Sequence, residues 1–164
     1  CVHMFKIRTF EDTDYSEVRS LFQRSLLEFS GNYITGMRSY VQSSLADDLI
    51  DIKKFYLGSL LNHFWVAEVD GAVKGMVGIE TKGDGTAELR RMSVAKEVRR
   101  LGIASKLIEV AEDFCKSLGH KRISLTTVTL LVPAIKLYEK YGYTLQREES
   151  YGDITGLQFV KTLI

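Results

Sequence analysis

A basic, glycine-containing turn at residues 99–105 has the residue types that could do chemistry. It reads R-R-L-G-I-A-S and lies between an apolar M-S-V and a helical pattern. The first N–H groups of a helix lack intrahelical partners and carry the positive end of the helix dipole, so a helix entry of small residues offers donors to an anion. Arginine adds donors that can hold a phosphate at two points. The turn indicates either a pyrophosphate-binding loop or a solvated basic turn before an ordinary helix.

The sequence contains neither of two familiar phosphate-binding loops. The nucleotide P-loop requires G-x-x-x-x-G-K-[ST], and the dinucleotide fold requires G-x-G-x-x-G after a strand. Further cationic side chains lie near the turn, and the pattern does not fix their direction: Arg90, Arg91, Lys96 and Lys106. Any attraction for anions must be local, because the formal net charge is only +1 and no run of like charges occurs. We therefore expect no nucleic-acid partner.

The chain has the size and composition of one globular domain. Its 164 residues are 45% hydrophobic and 26% charged, which fits a single domain over residues 1–164 with a sizeable core. Cys1 and Cys115 lie far apart and form no metal-ligand spacing. We therefore expect a reducing, cytoplasmic location, no metal, and a core position for Cys115 on a helix.

No segment of the sequence is typical of a membrane span or a signal peptide. No apolar run approaches about 20 residues, so the chain as given is expected to be soluble and to have no membrane partner. The opening C-V-H-M is unusual for a natural start. Either residues 1–3 are a cloning remnant before a native Met4, or the chain is a trimmed form that could have lost an anchor.

Hydrophobic periodicity predicts the elements that must position the turn. Residues 5–10 alternate as a half-buried strand, and a helix capped by Asp12 or Asp14 follows. Residues 33–44 fit either a helix or a loop, whereas residues 45–57 look helical. A segment that contacts substrate could lie in this region.

A meander of three strands is predicted next, followed by alternating helices and strands. Asp-Gly pairs at 70–71 and 84–85 supply the positive φ angles of tight hairpin turns. The apolar patterns give strands at 64–69, 73–81 and 87–94, a helix at 103–118, a strand at 122–127, a short helix from Pro133 to Gly142 and two strands within 143–164. The order βααβββαβαββ indicates a mixed α/β fold with a central sheet flanked by helices.

Two motifs resemble those of the GNAT acetyltransferase superfamily. Its acetyl-CoA pyrophosphate loop, [QR]-x-x-G-x-[GA], is matched by Arg99, Gly102 and Ala104. Its later pattern, A-x-x-L-Y-x-x-x-G-[FY], is matched by Ala134, Leu137, Tyr138, Gly142 and Tyr143. Order, spacing and intervening elements agree from Phe5 to the C-terminus. The stretches D-L-I-D-I-K-K-F-Y-L and F-W-V-A-E-V-D-G also look like the camello-like branch, in which an N-terminal hydrophobic segment anchors the enzyme to membranes.

The resemblance implies a GNAT-like fold, a mostly antiparallel twisted sheet with one splayed parallel pair. The strand that ends at Val94 would splay from the strand at 124–127, and the pantetheine arm of acetyl-CoA would fill the gap like an added strand. The implied acetyl-CoA-binding residues are Met92, Ser93, Val94, Arg99, Arg100, Leu101, Gly102, Ile103, Ala104 and Ser105. The resemblance also implies an N-acetyltransferase in which a primary amine attacks bound acetyl-CoA directly.

Motif position gives Met92 and Tyr138 roles in the reaction. The Met92 N–H would face the acetyl oxygen and stabilise the oxyanion of the tetrahedral intermediate. Tyr138 would protonate the departing thiolate, since a phenol with a pKa of ~10 is a feasible donor. The alternative for Tyr138 is a ring that only packs beneath the loop.

Glu88 is the candidate general base. Strand alternation places Glu88, Arg90 and Met92 on one face, and four residues of strand span ~13 Å, so Glu88 would act through water. The second Asp-Gly turn places Glu80 opposite or almost opposite Glu88, where repulsion would raise the pKa of one carboxyl. Alternatively, Arg90 and Arg91 neutralise both carboxylates in a solvated ion-pair lattice.

Leu131 departs from the family pattern. Many relatives carry an asparagine there that contacts the cofactor arm, a contact that is lost here or supplied by Thr127 or Thr129. The alternative function is a non-catalytic domain of the same fold that binds acetyl-CoA or is only structural. The acceptor, a small-molecule or peptide amine, would be selected by residues 33–61 and the last hairpin. The last strand could also pair across a sheet edge in a homodimer.

Overall fold

The structure is a computed structural model that describes residues 5–164. The expectations for Cys1 and for residues 1–3 lie outside the described residues. The elements, in chain order, are β1 (Phe5–Thr9), α1 (Tyr15–Leu27), α2 (Ile34–Ala46), α3 (Ile52–Leu57), β2 (His63–Val69), β3 (Ala72–Gly83), β4 (Thr86–Val94), α4 (Ile103–Ser117), β5 (Arg122–Val128), α5 (Val132–Lys140), β6 (Thr144–Tyr151) and β7 (Ile154–Thr162). Short 3-10 turns lie at 12–14, 31–33, 48–50 and 96–98.

Within residues 5–164 the strands form one seven-stranded sheet, in the order β1-β2-β3-β4-β5-β7-β6. Neighbouring strands are antiparallel except β4 and β5, which run parallel. The parallel pairing ends where Glu88 lies beside Ser124, and the two strands separate beyond that point. The predicted mixed α/β fold, with a mostly antiparallel sheet and one splayed parallel pair, is confirmed.

Both Asp-Gly turns of the meander have the predicted backbone. The φ angles are 50° and 81° at Asp70 and Gly71, and 53° and 73° at Asp84 and Gly85. Two successive positive φ angles match the twist of the flanking strands. The turns therefore fix β2, β3 and β4 as consecutive antiparallel neighbours.

Helices cover both faces of the sheet. A Cβ atom on Gly75 would lie 2.9 Å from Ile103 of α4, whereas one on Gly78 would lie 2.8 Å from Tyr56 of α3. Residues an odd number apart on a strand point to opposite faces, so α3 and α4 lie on opposite sides of β3. Helix α1 also packs on β3 and β4.

The region between β1 and β2 is helical but interrupted. Residues 33–44, for which the sequence allows helix or loop, lie almost entirely in α2 (Ile34–Ala46). The backbone leaves helical geometry at Asp47, and Asp51 begins α3 by accepting a hydrogen bond from the Lys54 N–H at 3.1 Å. The predicted order βααβββαβαββ therefore gains a third helix before β2. Among residues 5–164, no helix is both long and apolar enough to cross a membrane.

Candidate active site

The divergence of β4 from β5 opens a cavity of about 490 Å³, which we call the first cavity. Its walls come from the end of α1, the end of β4, the turn before α4, and the start of α5. Its volume is in the range of pockets that hold small-molecule ligands. Because no β5 residue pairs with β4 here, the backbone of β4 forms one wall of the cavity.

Nine of the ten residues predicted to bind acetyl-CoA line the first cavity. They are Met92, Ser93, Val94, Arg99, Arg100, Gly102, Ile103, Ala104 and Ser105. Leu101 is the exception, since it packs against the hydrophobic core. Apolar residues at the start of α5 lie across from them: Leu131, Pro133, Ala134 and Leu137. The cavity thus has a polar wall of backbone and an apolar wall of side chains.

The first turn of α4 presents free N–H groups to this cavity. Gly102 caps the helix with a φ of 85°, and no side chain within the described residues caps it. The first helical hydrogen bond runs from the Lys106 N–H to the Gly102 carbonyl at 3.1 Å, which leaves the preceding N–H groups available. A Cβ atom on Gly102 would meet no atom within 4 Å. The helix N-terminus is therefore open to a ligand.

A β-bulge interrupts β4 at Arg91. Gly78 pairs with Arg90 and Met76 pairs with Ser93, so Arg91 and Met92 together oppose the single residue Val77. Arg91 has a φ of 58°, which is uncommon for a residue with a side chain. Neither neighbouring strand supplies a register partner for Met92 within residues 5–164. Met92 is also one of the residues that line the first cavity.

The hydroxyl of Ser93 is buried without a hydrogen-bond partner. Ser93 is 5% exposed, and among the described residues its Oγ atom is the buried side-chain oxygen or nitrogen that lacks a partner. An unsatisfied buried hydroxyl costs free energy unless a ligand completes it. Because Ser93 lines the first cavity, this atom fits a ligand with polar groups along β4.

The two arginines at the turn before α4 differ in their partners. Both Nη atoms of Arg99 donate to the Glu28 carboxylate, at 2.5 Å and 2.7 Å, and its guanidinium lies 5.1 Å from the centre of the Phe29 ring. Arg99 thereby holds the pKa of Glu28 below its usual range. Its guanidinium thus ties the turn to the end of α1, whereas Arg100 has no ion-pair partner in the described chain and lines the cavity.

Tyr138 lies just behind the first cavity. It is 5% exposed and packs edge-on against Tyr143, with ring centres 6.0 Å apart. It is not itself a lining residue of the described cavities, but Leu137 lines the first of them. Burial raises the pKa of Tyr138, with a smaller contribution from Tyr40. The phenol is therefore protonated at neutral pH.

A smaller, polar cavity of about 220 Å³, the second cavity, lies on the other side of the bulge. Helix α2 contributes Tyr40, Ser43 and Ser44, and Asp47 follows it. Strands β4 and β5 contribute Glu88, Leu89, Arg90, Arg91 and Thr126. The bulge therefore separates Glu88 and Arg90, which line the second cavity, from Met92, which lines the first.

The predicted pairing of Glu80 with Glu88 is present, with a cation between them. The two residues lie opposite each other in the β3–β4 register. Arg90 Nη1 lies 3.3 Å from Glu80 and 3.6 Å from Glu88. Lys82 also donates to Glu80 at 2.8 Å. The carboxylates thus belong to an ion-pair network.

Asp48 is the carboxylate near the site that accepts the most hydrogen bonds among the described residues. No motif in the sequence points to it. Its side chain is fully buried and accepts hydrogen bonds from Tyr56, Arg90 and Arg91. Burial alone would raise the pKa of Asp48, but the hydrogen bonds and charge of Arg91 outweigh it and hold that pKa below its usual range. Asp48 is therefore ionised at neutral pH.

Comparison with known proteins agrees with this geometry. Residues 22–143 match the Acetyltransferase (GNAT) family. The chain belongs to the GNAT family. It is 39% identical over 107 residues to a probable N-acetyltransferase camello of Xenopus tropicalis, covering 64% of this chain and 49% of that protein. It is 36% identical over 108 residues to N-acetylaspartate synthetase of Homo sapiens, covering 65% of this chain and 36% of that protein.

A solved structure shares the fold of this GNAT chain. The PaiA N-acetyltransferase from Thermoplasma acidophilum, in complex with coenzyme A, has a TM-score of 0.78 and 16% identity, covering 94% of this chain and 98% of that chain. The GNAT chain spans about half the length of its camello relative and a smaller share of the synthetase.

The structure locates the three residues considered for the contact with the cofactor arm, Leu131, Thr127 and Thr129. Leu131 lines the first cavity immediately before α5, and neither Thr127 nor Thr129 is among the residues that line it. The Thr129 N–H already donates to the Thr155 carbonyl at 3.0 Å.

Within residues 5–164, no three His, Cys, Asp or Glu side chains are grouped to hold a metal ion.

Proposed function

We propose that this chain is an acetyl-CoA-dependent N-acetyltransferase that moves the acetyl group to a primary amine by direct attack, with both substrates bound together. The observation that carries the proposal is the first cavity, where the end of β4 that β5 does not pair, a buried unpartnered hydroxyl and an open helix N-terminus converge. Membership of the GNAT family supports acetyl transfer. Residues 5–164 would act as one catalytic domain, since their strands form a single sheet.

The residues of the first cavity fit acetyl-CoA in three places. The N–H groups of residues 102–105 and the free guanidinium of Arg100 would hold the pyrophosphate. The side of residues 92–94 that lacks a β5 partner and the Ser93 hydroxyl would bind the amide groups of the pantetheine arm. Leu131 and Leu137 would cover its apolar parts.

The Met92 N–H is the donor that would stabilise negative charge at the acetyl oxygen. Met92 has no register partner on either neighbouring strand of the described chain and lines the first cavity, so its N–H would be held by the bulge at Arg91 before substrate binds. A preorganised donor in a site that excludes water stabilises developing charge more strongly than water does. Bound acetyl-CoA supplies the activated thioester that makes the acetyl group transferable.

Tyr138 would return a proton to the departing sulfur. Its raised pKa keeps the proton in place at neutral pH, but it also makes the phenol a weaker acid. The leaving sulfur would occupy similar surroundings, where burial raises its own proton affinity. Cys115 in the same core shows the direction of that effect, because burial, with a smaller contribution from Glu112, raises the pKa of its thiol to about 12. Burial therefore raises the proton affinity of donor and acceptor in the same direction.

The second cavity would receive the amine. Its lining holds two carboxylates, Asp47 and Glu88, which would attract an ammonium group. Beside them lie Arg90 and Arg91, which would attract an acidic group of the same substrate. The Glu88 side chain is 27% exposed, so its carboxylate can exchange a proton through water and act as the base. The relative named N-acetylaspartate synthetase makes an amino acid the first acceptor to test.

Calorimetric titration with acetyl-CoA is the decisive test. We expect micromolar binding that weakens with truncated analogues lacking the pyrophosphate. A screen with L-aspartate, L-lysine and spermidine would then follow release of the free CoA thiol. Absence of binding at millimolar acetyl-CoA would refute the proposal, and binding without turnover of any amine would instead support a non-catalytic domain.

A further inference from the structure

The Asp48 carboxylate lies behind the second cavity, bonded to Arg90 and Arg91 of its lining, and itself lines neither of the described cavities. It belongs to the 3-10 turn between α2 and α3, and its side chain has no exposed surface. The Tyr56 hydroxyl donates to it from the core side. Arg90 and Arg91 donate to it from the β4 side. The carboxylate thus joins the helical layer to the strand that carries the site.

The bulge is what allows one carboxylate to hold both arginines. Successive residues of a regular strand point to opposite faces, so Arg90 and Arg91 would ordinarily diverge. At the bulge they converge, with Arg90 Nη2 at 3.2 Å from Asp48 and Arg91 Nε and Nη2 at 3.0 Å and 2.5 Å. Bidentate contact fixes the plane of the Arg91 guanidinium as well as its position.

The contacts of Arg91 extend this order into the second cavity. Its Nη1 atom donates to the Ser44 hydroxyl at 3.0 Å and to the Tyr40 hydroxyl at 3.3 Å. Tyr40 and Ser44 both line that cavity. Since the Tyr40 oxygen accepts from Arg91, its own hydrogen is free to donate elsewhere. Loss of the Asp48 carboxylate would free the Arg91 guanidinium, which orients the Tyr40 and Ser44 side chains.

The strained backbone of Arg91 needs such support. A side-chain-bearing residue at positive φ is held there only when its surroundings over-determine it. Arg91 has a φ of 58°, and its guanidinium is largely buried. Without Asp48, two buried guanidinium groups would lack their shared counter-ion, which favours rearrangement of β4.

We propose that Asp48 is a positioning residue for acetyl transfer. By holding Arg90 and Arg91, it maintains the bulge that presents the Met92 N–H to the first cavity and orders one wall of the second. This inference rests on the proposed function, because the reaction defines what is positioned. The role of Asp48 in ordering the backbone of residues 91–94 can be tested without turnover.

The test compares Asp48→Asn with Asp14→Asn as a matched control. Asp14 is also a buried aspartate, with a 5% exposed side chain, and receives two hydrogen bonds from Arg8 at 2.7 Å and 2.8 Å. It lines neither of the described cavities. Steady-state kinetics would use acetyl-CoA and the best amine of the screen. Amide hydrogen exchange would follow residues 91–94 in the free protein.

We expect Asp48→Asn to lower kcat by about 30-fold or more, since misplacement of a reacting group by about 1 Å can cost 100-fold. Asp14→Asn should have a lower melting temperature than the wild type, but its kcat should stay within about threefold of the wild-type value, because Asp14 lies outside the site. Exchange at residues 91–94 should accelerate in Asp48→Asn alone. Equal effects of the two substitutions on kcat and exchange would overturn the proposal.

Two further variants cover the case in which Asp48→Asn does not fold. Arg91→Met and the double variant Asp48→Asn/Arg91→Met remove one or both members of the pair. If Asp48 acts through Arg91, the double variant should lose little more kcat than Arg91→Met alone, whereas a further loss of about 30-fold would contradict the inference. If the wild-type protein acetylates no amine, the proposed function fails, and amide exchange alone then decides the role of Asp48.

Discussion

Glu80 and Glu88 lie opposite each other on β3 and β4, and share the guanidinium of Arg90, yet only one of them lines a described cavity. Glu88 lines the second cavity. Glu80 lies outside it and is also neutralised by Lys82 at 2.8 Å. The two carboxylates have similar surroundings but different access to a substrate.

Glu88→Gln should lower kcat/KM by about 10-fold to 100-fold at neutral pH, because it removes the group that would accept the amine proton. The loss should shrink at higher pH, where more of the amine is already neutral. Initial rates of thiol release over a pH series would measure both effects. Glu80→Gln is the control and should stay close to wild type. Equal losses in the two variants would show that the ion-pair network, and not proton transfer, is responsible.

Tyr138→Phe should reduce kcat by about 100-fold while leaving acetyl-CoA affinity within about threefold, because the phenol would act only when the sulfur departs. Single-turnover kinetics and calorimetry measure the two quantities separately. Tyr143→Phe is the control, since it removes a hydroxyl that donates to Glu112 at 2.8 Å in the neighbouring core. An unchanged kcat in Tyr138→Phe would restrict Tyr138 to packing.

Gly102→Ala should weaken acetyl-CoA binding, and Gly119→Ala should not. Both glycines have positive φ angles, 85° and 79°, and in neither case would a Cβ atom meet another atom within 4 Å. Each substitution should therefore cost about 1 kcal/mol of stability through backbone strain. The methyl group at residue 102 would also occupy the helix entry that receives the pyrophosphate. Denaturant unfolding and calorimetry would separate the two effects, and equal affinities would contradict the assigned site.

Ser93→Ala should change stability and affinity in opposite directions. Removal of an unpartnered buried hydroxyl should leave the free protein as stable as wild type or more so. Acetyl-CoA binding should weaken by roughly threefold to tenfold, the value of one hydrogen bond. Melting curves with and without acetyl-CoA would show both. Ser117→Ala, outside the first cavity, serves as the control, and a destabilised free protein would refute the role given to Ser93.

Alkaline pH should unfold the protein through its buried tyrosines. Burial raises the pKa values of Tyr56, Tyr138 and Tyr143 above that of an exposed tyrosine. Their contribution to stability is complete below the unfolded pKa of ~10 and is lost as pH rises above it, because the unfolded state releases protons first. Denaturant unfolding across this range, with tyrosinate absorbance recorded in parallel, should show these residues ionising only as the fold is lost. Ionisation of all eight tyrosines in the intact fold would contradict this.

The sequence predicts the first cavity well because its residues are close in the chain. The strand end at 92–94 and the turn at 99–105 are local patterns, and the glycine at the helix entry marks where they meet. The Asp-Gly turn at 84–85 is a local signal for the pairing of β3 with β4, but Glu80 opposes Glu88 only because the register shifts by one residue between Thr81 and Gly83.

Long-range packing decides what the sequence does not predict. Three aspartates lie close together in the chain, but Asp47 lines the second cavity, Asp48 is buried and Asp51 caps α3. The bulge at Arg91 carries no glycine or proline to mark it. Glu28, the partner of Arg99, lies 71 residues away in sequence. Each of these contacts is set by how helices meet the sheet.

The short parallel seam between β4 and β5 has a mechanical consequence. Three register pairs join these strands, whereas β3 with β4 and β5 with β7 have seven each. The pairing of strands is therefore shortest at this seam, between the part of the sheet formed by β1 to β4 and the part formed by β5 to β7. A pantetheine arm laid along the gap would fasten the two parts together. Release of CoA would undo that fastening, so we expect the strength of this seam to influence the turnover rate.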